Sequence, residues 1–122
     1  MHVHQQAITC CIENGSDMHF IVTVVCGKNK PEERHALWSH LVYLKSLITS
    51  PWLILGDFNS IRTVNERLGS SDFDFRAMEE FHQCIHQLDV EEFSGRVFYF
   101  TWCNQRDNGY RIYSKIDKRL YK

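Results

Sequence analysis

Four apolar residues in a row, Trp52-Leu53-Ile54-Leu55, stand between Pro51 and Gly56-Asp57-Phe58-Asn59, and no other stretch constrains the fold as much. The run is too short for a core helix and has no polar alternation. It reads as a strand covered on both faces. Ligand sites in layered sheet proteins gather outside the carboxyl ends of such strands. Gly56 lets the backbone turn there. In extended chain, residues two apart point the same way, so Asp57 and Asn59 are expected to face one cleft while Phe58 packs the other way. A carboxylate takes a proton from water or binds a hard cation. An amide donates to a phosphate oxygen or holds an attacking water. Together they suit metal-assisted hydrolysis of a phosphate ester. The plainer alternative is a loop in which Asp57 or Asn59 forms an Asx turn or caps a helix.

The neighbouring segments supply layers around that strand. "HVHQQAITCCIE" and "MHFIVTVVCG" are rich in β-branched residues and flank Asn14-Gly15, which predicts a β-hairpin. Pro31 opens "PEERHALWSHLVYLKSLITS", with Glu32 and Glu33 at the positive end of a helix dipole. Leu37, Leu41, Leu44 and Ile48 share one face, Trp38 sits at the edge of that stripe as core, and Pro51 ends the helix near Ser50. Residues 60–74 read as a polar loop. Phe75, Met78, Phe81, Ile85 and Leu88 then form the stripe of a second amphipathic helix. Two short strand-like pieces, "FYFTWC" and "YRIYSKI", follow on either side of the turn-rich "NQRDNG". The order β-β-α-β-α-β-β predicts an α/β (α+β) layered fold.

A chain of 122 residues is one domain at most. Its 43% apolar content excludes disorder. The net charge of −1 excludes a partner chosen by bulk charge, but the distribution is uneven. Residues 101–122 hold six of the 14 Lys and Arg and only two of the 15 Asp and Glu. Arg106, Arg111, Lys115, Lys118, Arg119 and Lys122 of this basic end could touch phosphates or simply form a solvated strand. Five cysteines, odd in number and without a CxxC, argue against a disulfide framework. With no apolar leader in "MHVHQQ" and no membrane-length run, the expected home is intracellular, nucleus or cytoplasm. His82 and His86 have a spacing that can bind zinc, with Cys84 between them. No HExxH pattern supplies a third ligand, so they read as structural. Cys10 and Cys11 are expected to alternate across a strand.

In its context, "PWLILGDFNSI" resembles the signature strand end of the endonuclease/exonuclease/phosphatase superfamily, the DNase I-like fold. The chain is most similar to the endonuclease domain that precedes reverse transcriptase in plant non-LTR (LINE-type) retrotransposons. "FIVTVVCGKNKPEERHALWSHL" looks like the family's V-Y-x-x-N…R…LW..L segment. "ERLGSSDFDFRAMEEFHQCI" resembles the following loop and helix, and "FTWCNQRDNGYRIYSKIDKRL" resembles F-T-W-x-N followed by R-L-D-R-x-L. The ordered set covers about residues 18–122.

The resemblance implies a partial DNase I-like α/β sandwich with one β-hairpin, a central strand, two amphipathic helices and C-terminal short strands. Residues 1–122 would be the middle portion of one domain. It implies that Asp57 serves at the attacking water or a metal, and that Asn59 orients water and phosphate. Asn29 would lie close to the phosphate, Asp117 would orient a catalytic histidine, and Trp102 would wall the nucleic-acid cleft. The family's cofactor is Mg²⁺ or Mn²⁺ and its partner is DNA.

The departures are specific. Cys26 stands where a phosphate-contacting tyrosine is common, and Lys118 where arginine is usual. Nothing matches the metal-binding glutamate, since Glu13 alone precedes Glu32 and sits at the hairpin turn. No histidine follows Asp117, the last being His86. The expectation is therefore an inactive remnant of a phosphodiesterase, with a DNA-binding remnant or a relic without function as alternatives. An absent second sheet would leave an apolar face open to self-association.

Overall fold

A computed structural model describes residues 1–15, 18–70, 72–92, 102–103, 113–114 and 117–121. In chain order the elements are β1 (His2–His4), β2 (Ala7–Asn14), β3 (Met18–Cys26), α1 (Pro31–Leu47) and β4 (Trp52–Asp57). After a short 3-10 turn (Val64–Glu66) come β5 (Arg67–Leu68), α2 (Phe75–Leu88), β6 (Glu91–Glu92), β7 (Trp102–Cys103), β8 (Tyr113–Ser114) and β9 (Asp117–Tyr121). The main sheet has the order β1-β2-β3-β4-β9-β6, and a small sheet has the order β5-β8-β7. β3 and β4 run parallel, joined by α1 as the crossover. The neighbouring pairs are antiparallel. Among the described residues no helix is long and apolar enough to cross a membrane.

Both helices lie on one face of this sheet. Leu37, Trp38, Leu41 and Leu44 of α1 meet Phe81, Cys84, Ile85 and Leu88 of α2 over Val25, Trp52, Ile54 and Leu120. Burying apolar surface of this kind stabilises by roughly 25 cal/mol per Å². The polar groups caught beneath are satisfied. The Trp52 indole Nε1 donates to Thr23 Oγ1 at 2.9 Å, and the Thr9 and Thr23 hydroxyls bond at 2.8 Å. Asp74 caps α2 by accepting from the Ala77 N–H, and Asp89 ends it in the left-handed conformation.

The other face of the sheet is open. Ile8, Ile12, Phe20 and Val24 alternate with the buried set and stand 38–48% exposed. In β4, Trp52 and Ile54 are buried while Leu53 and Leu55 are only half-buried. Among the described residues the helix side of β4 is thus the more fully covered of the two faces.

Four local readings change. "HVHQQAITCCIE" is two strands, because the chain reverses at Gln5-Gln6 and β1 folds back on β2. The polar loop after Ser60 carries the 3-10 turn and β5. Phe75 is 65% exposed, since it opens α2 before the helix reaches the core, and Ala77 and Cys84 fill the buried stripe instead. Lys118 is fully buried in the main sheet beside β4, and so is removed from any phosphate-touching surface.

Candidate functional site

The site forms where two neighbouring parallel strands end together. β3 and β4 pair as far as Cys26 opposite Asp57, and the Gly27 N–H continues the ladder by donating to the Asp57 carbonyl at 2.7 Å. This close approach demands glycine at two positions. Gly56 adopts φ +127°, and a Cβ there would lie 2.2 Å from the Val25 carbonyl oxygen. A Cβ on Gly27 would lie 2.6 Å from the Phe58 carbonyl oxygen.

Beyond Asp57 the strand geometry ends. The Asp57 Oδ1 accepts the Asn59 backbone N–H at 2.7 Å, an Asx-type turn, and Asn59 sits at φ +52°. Two-residue alternation therefore does not bring these side chains together; the turn does, and the plainer reading of the motif describes its local hydrogen bonding. Phe58 turns into the core, 5.4 Å from the Phe81 ring and 6.4 Å from Trp38. That anchor fixes the turn. The Asn59 Nδ2 donates to the Asn29 Oδ1 at 2.6 Å, so the ends of β3 and β4 meet through two amides.

The loop that carries Asn29 is held from both sides. The Arg34 guanidinium, on a residue only 5% exposed, donates through one nitrogen to the carbonyls of Lys28 and Asn29, at 3.0 and 2.9 Å. Burial lowers its pKa, an effect opposed by the fields of Asp74, Glu80, Asp57 and Glu32. Gln6, equally buried, accepts the Lys28 N–H through Oε1 and donates through Nε2 to the Glu33 carbonyl, both at 2.9 Å. A polar cavity of about 240 Å³ lies beside the turn, lined by Asn29, Arg34, Asn59, Arg67, Asp74 and Met78. A larger groove, about 580 Å³, runs between α1 and α2 along His35, Trp38, Glu80 and Cys84, away from the Asp57 turn.

Three of the sequence-derived residues, Asn29, Asp57 and Asn59, are thus brought together. Asp117 stands opposite Asp57 in the register of β9 with β4, and Trp102 lies in β7 opposite Ser114. Their side chains lie outside the described residues, as do Arg106, Arg111, Lys115 and Lys122. His82 and His86 are exposed while Cys84 points inward, its thiol pushed up to about 12 by burial. Helical geometry thus places the Cys84 thiol away from the two imidazoles. Cys10 is half-buried and Cys11 exposed. Sequence reasoning missed Gln6, which has no local signature, and Arg34, whose only signal was its place in the N…R…LW spacing.

Among the described residues no group of three His, Cys, Asp or Glu side chains converges on one point. One carboxylate and two amides are a thin donor set for a hard divalent cation. These residues do not by themselves fit a magnesium centre.

No protein-family model matches the chain, and no curated relative matches it. Solved structures do. The endonuclease domain of TRAS1, a telomere-specific non-LTR retrotransposon, superposes with a TM-score of 0.63 at 16% identity, over 94% of this chain and 49% of that domain. The human Nocturnin catalytic domain, solved with a bound sulfate anion, gives a TM-score of 0.49 at 16% identity, over 94% of this chain and 40% of that one. The chain spans about half the length of the structures it matches, and over that span its fold is DNase I-like.

Proposed function

We propose that this chain derives from a Mg²⁺-dependent phosphodiester-cleaving endonuclease domain of retrotransposon origin that acts on DNA, and that residues 1–122 are a single partial domain, its middle portion, without cleavage activity alone. The meeting of Asn29 with Asn59 beside Asp57 carries this reading. The Asn29 oxygen accepts from Asn59, so the donor that Asn29 can offer an anionic oxygen is its NH₂. The Asx turn orients the Asp57 carboxylate toward the same strand end, where it can hold or accept a water proton. Trp102 and Asp117 belong to the reading as the cleft wall and the histidine's orienting partner.

Phosphodiester cleavage by this family draws on a metal that offsets phosphate charge. The glutamate that would hold it has no match in the sequence. Glu66, buried near the site's loop, is engaged by Lys118. Groups that act as a unit fail together. Purified chain incubated with supercoiled plasmid and Mg²⁺ or Mn²⁺ is expected to leave it intact. Nicking that disappears in Asp57→Ala overturns the inactive reading. Salt-sensitive retention of the plasmid without cutting would favour a DNA-binding remnant, to which the Arg34- and Arg67-lined cavity lends support.

Self-association belongs to the same reading. The exposed apolar row through Ile8, Ile12, Phe20 and Val24 supports it. Sedimentation is expected to show concentration-dependent assembly that Val24→Lys suppresses; a monodisperse monomer at high concentration contradicts it. Cys10, Cys11, Cys26 and Cys84 are free thiols, which supports an intracellular setting, nucleus or cytoplasm.

A further inference from the structure

Two histidines from different elements lie face to face at the edge of the sheet. The rings of His4, on β1, and His40, on α1, stack with centroids 4.5 Å apart and planes 16° apart. The His40 ring has no room for an added proton without loss. The His4 Nδ1 accepts the Gln6 backbone N–H at 3.1 Å. Its own proton therefore sits on Nε2. The His40 Nε2 is buried and makes no hydrogen bond among the described residues. A cation there would stack on a second imidazole with no counter-ion.

Gln6, which donates to His4, is the residue that holds the Asn29 loop. Its backbone carbonyl accepts the Cys26 N–H at 2.8 Å, its side-chain oxygen accepts the Lys28 N–H, and its side-chain nitrogen reaches the first turn of α1. A continuous set of contacts thus runs from His40 through His4 and Gln6 to Lys28, then through the adjoining Asn29 to Asn59. We infer that the His4–His40 stack is a proton-sensitive latch on the Asn29 loop, closed while the His40 ring is neutral and released when that ring takes a second proton. The inference rests on reading Asn29 and Asn59 as the phosphate-facing pair, whose geometry the latch then regulates.

The electrostatic surroundings agree. Burial holds the His40 pKa below the usual histidine value of 6.5, with smaller contributions from His4 and His2, both on β1. Among the described residues the causes of that shift include no carboxylate. A histidine whose folded pKa is depressed stabilises the folded arrangement fully above its unfolded value. That contribution is lost as pH falls from 6.5 through the lower folded value. His35 is a separate case, since its Nε2 meets the Glu80 carboxylate at 2.6 Å on the far side of α1.

The test is a pH titration by nuclear magnetic resonance from pH 8 to pH 5. It follows the Lys28 backbone amide and the side-chain amides of Asn29 and Asn59 together with the imidazole signals. All three amides are expected to move with a single midpoint below 6.5 that matches His40. His40→Phe keeps an aromatic stack without a titrating group and is expected to abolish that movement. His4→Asn keeps an acceptor for Gln6 and is expected to do the same, so one variant remains informative if the other fails to fold. Site amides that stay flat while the rings titrate, or that titrate unchanged in either folded variant, overturn the latch. Because no ligand enters the measurement, failure of the chain to bind DNA would count against the proposed function and leave this result standing.

Discussion

Lys118→Met is expected to cost roughly 3–5 kcal/mol of folding stability, a large share of the 5–15 kcal/mol typical of a domain. The Lys118 side chain is fully buried, and its Nζ lies 2.9 Å from Glu66 Oε2 and 3.9 Å from Glu92 Oε1. It also stands 5.8 Å over the Phe81 ring. The Glu66 Oε1 accepts the Arg62 backbone N–H at 2.6 Å. One lysine on β9 therefore ties the loop that follows the Asp57–Asn59 turn to the main sheet. Removing the cation takes a countercharge at 2.9 Å away from a buried carboxylate, which is costlier than an exposed pair's loss. A urea titration followed by circular dichroism checks it. Glu66→Gln placed in the Lys118→Met background should recover part of the loss, because it neutralises the stranded charge. A single-variant loss below about 1 kcal/mol, or a double variant no better than the single, would show that the pair is weaker than its burial implies.

This pair also marks where sequence reading stops. The helices were legible because a buried face repeats with the helical period. Leu37, Leu41 and Leu44, then Met78, Phe81, Ile85 and Leu88, all reach the interior. Pro31 opened the first helix for a local steric reason that needs no tertiary context, whereas its end at Leu47 falls short of the stop near Ser50 that Pro51 suggested. The central strand was legible from Trp52–Leu55, and Asp57, Asn59 and Asn29 from the motif that surrounds them. Lys118 was not. A lysine at the end of a basic segment looks solvated, and its burial depends on Glu66, 52 residues away. Gln6 is similar: its value lies in four hydrogen bonds to residues that only the β1–β2 reversal brings within reach. The way Asp57 and Asn59 come together was misread for a different reason. Alternation holds only while the chain stays extended, and the left-handed Asn59 ends it one residue earlier than the pattern assumed.

The second large effect is expected at Gly56→Ala, with a loss of about 3 kcal/mol or more and disruption of the site itself. Two costs add. The backbone at φ +127° lies in a region that residues with a Cβ rarely enter. The new methyl would also meet the Val25 backbone, at 2.2 Å from its oxygen and 2.9 Å from its nitrogen. Backbone in a paired parallel strand cannot rotate aside as a flexible side chain can. Relief must come from separating β3 and β4 at the Val25–Gly56 pair, one step before Cys26 meets Asp57. The same separation pulls the Asn29 loop away from Asn59, because those two residues sit on the ends of the two strands. Gly15→Ala is the matched comparison. That glycine also has a positive φ, +21°, but nothing lies within 4 Å of an added Cβ, so strain acts there without a clash. Thermal melts of the two variants should differ severalfold in lost stability. Magnetic resonance of Gly56→Ala should show the Asn59 side-chain amide shifted toward its solvated position while Gly15→Ala leaves it in place. Equal losses in the two variants would mean that β3 and β4 are not in the close contact described, and the geometry of the Asp57 turn would fall with it.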